Sequence, residues 1–257
     1  MLAQGDVVGT LKQRLVSWVS VSLFDHLTYT VRNGLNRGLR RRGGLGWIPV
    51  EHDDPEARFW KSLDLRGKVI YDVGAFHGLL TIYFARSARV VVAWEPNSRN
   101  RRRLMENLEL NGFSGVIVRP YGLSSTATRA ELRFSPLMPG MATSDSGMAG
   151  GSEHESVDLR PLDGEVGLEP PDLIKIDVEG FELEVLKGAA RILQRVPDLF
   201  LEMHGAGVED RRRRARAIAD HLWSLGYRRI LHVETGTEIT PDNAAAASAG
   251  HLYARGG

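Results

Sequence analysis

Lys68-Val-Ile-Tyr-Asp-Val-Gly-Ala-Phe-His-Gly78 is a compact β run that passes straight into a glycine turn, and Leu79–Ser87 follows at once at helical spacing. A buried strand feeding a helix through such a turn is the opening unit of a doubly wound sheet, where that turn holds a nucleotide-like ligand. Working outward, Arg89–Trp94 reads as a second strand, Asn97–Leu110 as a polar-faced helix and Gly115–Arg119 as a third strand. Asp172–Val178, Glu182–Gln194 and Asp198–His204 repeat the strand–helix–strand order. A helix at Glu209–Leu225 follows, and Arg228–Val233 pairs with His251–Arg255 as a closing strand pair. Short apolar strands separated by amphipathic helices predict an open, mainly parallel α/β sheet with helices on both faces.

The turn Asp72-Val73-Gly74-Ala75-Phe76-His77-Gly78 and the acid Glu95, with Pro96 after it, are the candidate cofactor-binding residues. Gly74 and Gly78 remove Cβ atoms that would keep a ligand from the backbone. Glu95 ends the second strand, where a carboxylate grips ribose hydroxyls. A dinucleotide loop would deliver pyrophosphate to the helix N-terminus. Here Asp72 stands where that pattern opens on glycine, and a carboxylate beside pyrophosphate is repulsive. S-adenosylmethionine carries an ammonium and a sulfonium and no phosphate, so the charges favour it. Taken alone, the loop also admits strand-end acids and a plain glycine turn.

Together with Asp172-Leu-Ile-Lys-Ile-Asp-Val-Glu-Gly-Phe-Glu-Leu-Glu-Val-Leu-Lys-Gly188, this loop resembles the FkbM-type methyltransferases. Trp94-Glu-Pro-Asn97, Asn107-Leu-Glu-Leu-Asn111 and Tyr121-Gly-Leu-Ser124 look similar to further blocks of that family, and Phe76-His77 departs from it. The likeness runs from about Lys68 to Gly205. It implies a class I methyltransferase, Rossmann-like sheet of seven strands, mostly parallel with the last antiparallel. It implies S-adenosyl-L-methionine as cofactor and methyl transfer to a hydroxyl, often of a sugar, polyketide or other secondary metabolite. Tyr121, Gly122 and Asp177 join the cofactor-binding candidates on this basis.

Methyl transfer to an alcohol needs alignment of the acceptor oxygen and removal of its proton. Asp177 and Glu179 leave the strand 172–178 and His204 leaves the strand 198–203, ends that this topology makes neighbours. They are the catalytic candidates, with His204 a base near neutral pH and Asp177 or Glu179 orienting it, binding sugar hydroxyls or ligating a cation. Each also has a structural role open to it, as a turn, a helix start or a strand-end hydrogen bond. Two carboxylates two residues apart are no metal motif by themselves, so no metal is expected.

The chain has 257 residues, no cysteine and a formal net charge of +1. Disulfides, Cys-ligated metals and thiol nucleophiles are therefore excluded, and no general attraction to nucleic acid is expected. No Asn-Pro-Pro-Tyr block follows the fourth strand, which speaks against amino-group transfer. Arg211–Arg214 and Arg216 share a helix with the apolar stripe Ala215, Ile218, Leu222 and Leu225, so they read as its solvated face.

Residues 1–66 read as a helical and basic extension. Leu11, Leu15, Val19 and Leu23 form a helical stripe, Arg32–Gly46 mixes five arginines with five glycines as an irregular loop, and Asp53-Asp54-Pro55 opens a short helix. No run reaches a membrane span, and the start lacks the marks of a secretory signal, so a cytoplasmic location is expected. Residues 67–257 read as the methyltransferase domain, with a Gly/Ser/Met-rich insertion at about 135–156 between strands Ala130–Phe134 and Ser156–Leu162. Its tip is expected to lie over the active site or to be a plain surface loop. The expected acceptor is a small molecule or glycan. An RNA- or protein-directed enzyme and a non-catalytic cofactor-binding module stay as alternatives.

Overall fold

The computed structural model describes residues 26–43, 54–135, 138–143, 153–247 and 249–256. The stripe Leu11–Leu23 lies outside them, as do Asp53 and the middle of the 135–156 insertion. In chain order the elements open with strands β1 (Thr28–Thr30) and β2 (Arg40–Arg42), helix α1 (Pro55–Ser62), strand β3 (Val69–Val73) and helix α2 (Leu79–Ala85). Strand β4 (Val90–Trp94), helix α3 (Ser98–Leu110) and strands β5 (Ile117–Arg119), β6 (Gly122–Leu123), β7 (Thr128–Ser135), β8 (Met138–Thr143) and β9 (Glu153–Arg160) follow. The rest is β10 (Leu173–Ile176), α4 (Glu182–Lys187), α5 (Ala190–Leu193), β11 (Asp198–Glu202), α6 (Val208–Ser224), β12 (Arg229–His232), β13 (Thr237–Glu238) and β14 (His251–Arg255).

The main sheet runs β13-β12-β14-β11-β10-β3-β4-β5. Strands β11, β10, β3, β4 and β5 are mutually parallel, and β14 lies antiparallel between β11 and β12. This is the seven-stranded, mostly parallel sheet with an antiparallel last strand that the resemblance implied, with the two-residue β13 added at one edge. The central strands β3 and β10 are buried along their whole length, as a sheet covered on both faces requires. Helix α6 buries Ala215, Ile218, Ala219 and Leu222. Of its arginines, Arg212, Arg213 and Arg216 are exposed, Arg213 pairing with Asp210 and Arg216 with Asp220, whereas Arg211 and Arg214 are half-buried, so the solvated-face reading holds for part of the run.

Three expectations change. Residues 32–46 are not an irregular loop where described: β1 and β2 pair antiparallel, Tyr29 opposite Arg41, and the turn is closed by Val31 donating to Leu39 O and Gly38 to Val31 O. Residues 182–194 form two short helices, interrupted at Gly188-Ala189. The insertion is not bare loop, because β7 pairs with β8 and along its length with β9, and β9 pairs with β6 in a second, four-stranded sheet.

The N-terminal segment is fastened to the domain. Asn36 donates to Leu79 O at 2.8 Å, and the Arg40 and Arg42 amides donate to Asn111 and Asn107 side chains. Helix α1 begins on Asp54, whose carboxylate accepts from Glu56 N, with Pro55 at the first helical position. It inserts the fully buried Trp60 against Phe200, ring centroids 4.3 Å apart, and Phe84, 5.0 Å. The second sheet is tied down by Glu155, which accepts from Asn97 Nδ2 and Ser98 N at the start of α3. Among the described residues no helix is long and apolar enough to cross a membrane.

Candidate active site

The turn after β3 is shaped by packing. Gly74 has φ +80°, and a Cβ there would lie 1.7 Å from the carbonyl oxygen of Asp177; at Gly78, φ +79°, it would lie 2.3 Å from Leu104. These glycines therefore have a packing role beside the expected one of clearing space for a ligand, and Gly74 also lines the clefts above the turn. Both glycines let the turn press on the end of β10 and on α3 in a left-handed conformation that favours glycine. Phe76 adopts φ +51° without being glycine, a conformation costing on the order of 1 kcal/mol. Its amide is held by donation to Glu95 Oε2 at 2.8 Å.

Asp72 is also corrected. It is fully buried, accepts from Thr81 Oγ1 at 2.6 Å, and lies 3.1 Å from Lys175 Nζ. Its charge is thus matched inside the protein, and it does not present a carboxylate to an ammonium or sulfonium. Lys175 bridges Asp72 and Asp177 (3.3 Å) and donates to Gly74 O at 2.6 Å, so one cation fixes the turn to β10. Burial alone would lower the Lys175 pKa, but the two aspartates raise it. Sequence reasoning passed over Lys175 as a site residue. The available signal was a lysine inside the otherwise apolar strand Leu173-Ile-Lys-Ile176, which requires a buried partner.

Two clefts meet over this turn. The smaller, about 270 Å³, is walled by Trp94, Glu95, Pro96, Gly122, Leu123 and Leu159 among others. Glu95 is 5% exposed, and its two oxygens accept from Phe76 N and Asn97 N, which aims the carboxylate while leaving lone-pair capacity for a ligand. Burial pushes its pKa up to about 7 against the pull of those amides and of Lys175. The larger cleft, about 770 Å³, lies between the turn, the β1–β2 hairpin and α1. Gly74, Phe76, Asp177 and Glu202 line both.

At that junction the catalytic candidates do come together. His204 Nδ1 lies 2.8 Å from Glu182 Oε1, which directs Nε2 toward Asp177 (3.8 Å), Glu179 (3.6 Å) and Glu202 (3.6 Å). Ligand atoms of Asp177, Glu179 and His204 all lie within 4.8 Å of one another. Glu179 sits at φ +52°, and Arg214 donates to the carbonyl of Gly180 beside it at 2.6 Å. Burial works to lower the His204 pKa but is overcome by the hydrogen bond with Glu182 and the charges of Glu179, Glu182 and Glu202, leaving it at about 9. The surrounding acids thus favour the imidazolium, a form that does not suit the expected role of base near neutral pH. Burial, reinforced by Asp177, Glu202 and Glu182, pushes Glu179 up to about 7, and burial raises Asp177 against the pull of Lys175.

Of the remaining candidates, Ala75 lines the larger cleft and Pro96 and Gly122 the smaller. His77 lies outside both, stacked on Phe76 with centroids 3.7 Å apart. Gly78 packs on Leu104. Tyr121 is turned away, its hydroxyl donating to Glu165 and its ring under Arg160 at 4.2 Å. Glu202, at the end of β11, is a lining residue that the sequence reading did not single out.

Residues 72–229 match the family model described as the methyltransferase FkbM domain. The chain belongs to the FkbM methyltransferase family. S-adenosylmethionine is the cofactor that the resemblance implied for this domain, and the match to a methyltransferase family supports it. The smaller cleft of this FkbM domain fits the group, offering a buried, pre-aimed carboxylate for ribose hydroxyls and apolar walls for a flat base. The chain is 32% identical over 170 residues to the hexuronic acid methyltransferase AglP of Haloferax volcanii, covering 58% of this chain and 67% of that one. It is 35% identical over 153 residues to the methyltransferase sdnD of Sordaria araneosa, covering 46% and 59%. The FkbM methyltransferase structure from Methylobacillus flagellatus superposes with a TM-score of 0.51 at 21% identity, over 78% of this chain and 50% of that one, and shares the fold. This chain thus spans two thirds or less of the length of these proteins.

Proposed function

We propose that the protein transfers the methyl group of S-adenosylmethionine to a hydroxyl oxygen of a small molecule or glycan. The observation that carries this is the meeting of two clefts at Gly74, Phe76, Asp177 and Glu202. Glu95 and the apolar walls of the smaller cleft would hold the ribose and base of the cofactor, and the larger cleft would admit the acceptor. When bound, the cofactor supplies a methyl carbon already activated by the sulfonium. The acceptor oxygen forms the new C–O bond as the C–S bond breaks, the electron pair stays on sulfur, and the hydroxyl proton goes to the protein. Asp177, which lines both clefts, takes that proton. The imidazolium of His204, held by Glu182, draws the Asp177 and Glu179 carboxyls toward their ionised forms against the effect of burial. A hexuronic acid methyltransferase among the relatives supports a sugar-like acceptor.

The test is turnover with isotopically labelled cofactor and a panel of sugars and sugar acids, followed by mild alkali. A methyl ether survives alkali; label released as methanol marks a carboxyl ester and contradicts transfer to hydroxyl. A second reading has one specific support, the spacing of Asp177, Glu179 and His204 around a point suited to a divalent cation. Chelation separates the two: the first reading expects full turnover in excess EDTA, and loss of turnover restored by a divalent ion replaces it with the second.

A further inference from the structure

The larger cleft holds a half-buried cation that no carboxylate among the described residues matches. Arg41, on β2, lines it. Its guanidinium is mostly buried, its Nε has no hydrogen-bond partner, and among the described residues no carboxylate pairs with it. Its hydrogen-bonding neighbour is Tyr29, directly opposite on β1, and the other charge near it is the like-signed Arg103. The next residue is treated differently, since Arg42 Nε lies 3.7 Å from Glu106.

The acids on the same wall are engaged elsewhere. Asp54 caps α1 by accepting from Glu56 N, and Glu56 accepts from Trp60 Nε1 at 3.0 Å and lies 4.0 Å from His251. Lys61 and Arg58 reach the cleft from α1, so Arg41 stands on a wall with basic neighbours. Burying a guanidinium without a counter-charge is costly, and a planar fork with free N–H groups matches a carboxylate by two parallel hydrogen bonds.

We infer that Arg41 is a carboxylate-binding residue of the larger cleft, completed only when a ligand places an acid group against it. Resting on the reading of this cleft as the place of transfer, the inference leaves two sources for that group. One is the amino-acid end of the cofactor and the other an acidic acceptor.

Calorimetry on wild type, Arg41→Met and Arg41→Lys distinguishes them. S-adenosylhomocysteine is compared with 5′-methylthioadenosine, which has the same adenosine and thioether but no amino-acid end. D-glucuronate and D-glucose are then titrated into the S-adenosylhomocysteine complex. If the group is the cofactor's, Arg41→Met binds S-adenosylhomocysteine about 10- to 100-fold more weakly while 5′-methylthioadenosine is unchanged. If it is the acceptor's, D-glucuronate loses that factor while S-adenosylhomocysteine is unchanged and D-glucose stays weak throughout. Arg41→Lys, which keeps the charge and loses the fork, falls between, and serves as the reading should Arg41→Met not fold. Cofactor affinity within twofold of wild type, with D-glucuronate binding both proteins alike or neither, overturns the inference. Wild type that fails to bind S-adenosylhomocysteine sinks the cofactor assignment itself, a distinct result.

Discussion

Four acidic side chains surround His204 and push its pKa up to about 9, which favours the imidazolium at neutral pH and changes how the reaction should respond to pH. Asp177 must be ionised to accept a proton, so turnover should rise with pH through an aspartate value lifted by burial. It should fall again near 9 as His204 loses its charge and the cluster its cation. His204→Asn should abolish the alkaline limb and move the acidic limb upward, since the carboxylates lose their counter-charge. Asp177→Asn should lower turnover by ~10²–10⁴ with the alkaline limb intact. If instead His204→Asn removes the acidic limb, histidine is the base. At this scale the sequence was informative where a residue ends a strand, as with Glu95, Asp177 and His204, because topology alone brings strand ends together. It misled at Asp72, whose partner Lys175 lies on a strand distant along the chain, so its charge looked free. Lys175→Met should leave Asp72 buried without its cation, lowering stability by roughly 3–5 kcal/mol in urea denaturation; a change below about 1 kcal/mol would show that the Lys175–Asp72 pair does not hold the turn.

The elements nearest the chemistry are held by close backbone approaches. Gly74→Ala would place a methyl group 1.7 Å from Asp177 O in a left-handed conformation, so the turn and the end of β10 must separate. A loss of roughly 3 kcal/mol or more is expected, or a melting temperature lower by about 6–12 °C, with cofactor affinity falling because Phe76 N no longer aims Glu95. A variant that melts like wild type would show that the turn is not locked to β10. The strands of the main sheet were legible because each central one is a short apolar run bounded by turn residues. The β1–β2 hairpin was not, since Arg40–Arg42 has no alternating pattern; its exposed strands are fixed by side-chain amides of α3, a tertiary contact without a local signature. The break between α4 and α5 was hidden for a related reason, as Glu182–Gln194 keeps one helical apolar stripe across Gly188.

Over the whole molecule, four shifted groups act with the same sign on stability. His204 and His251 are held at about 9, so their contributions are complete below the unfolded value of about 6.5 and disappear as pH rises through about 9. Glu95 and Glu179 are raised to about 7, which favours their protonated forms in the fold and loses that contribution as pH climbs from about 4.5 through 7. The urea midpoint of the ligand-free protein should therefore be higher near about pH 6 than near about pH 9.5; a flat or rising midpoint contradicts the electrostatics assigned to the site. Glu95 and Glu179 line the smaller cleft, and His204 and His251 lie 3.6 and 3.8 Å from Glu202, which lines both, so this alkali sensitivity belongs to the proposed site. The most direct test of the central claim is a calorimetric titration of wild type and Glu95→Ala with S-adenosylhomocysteine and with NAD. Wild type should bind S-adenosylhomocysteine and not NAD, and Glu95→Ala should bind it about 10- to 100-fold more weakly through loss of charge-assisted ribose hydrogen bonds. Preference for NAD, or Glu95→Ala binding as wild type does, would contradict it.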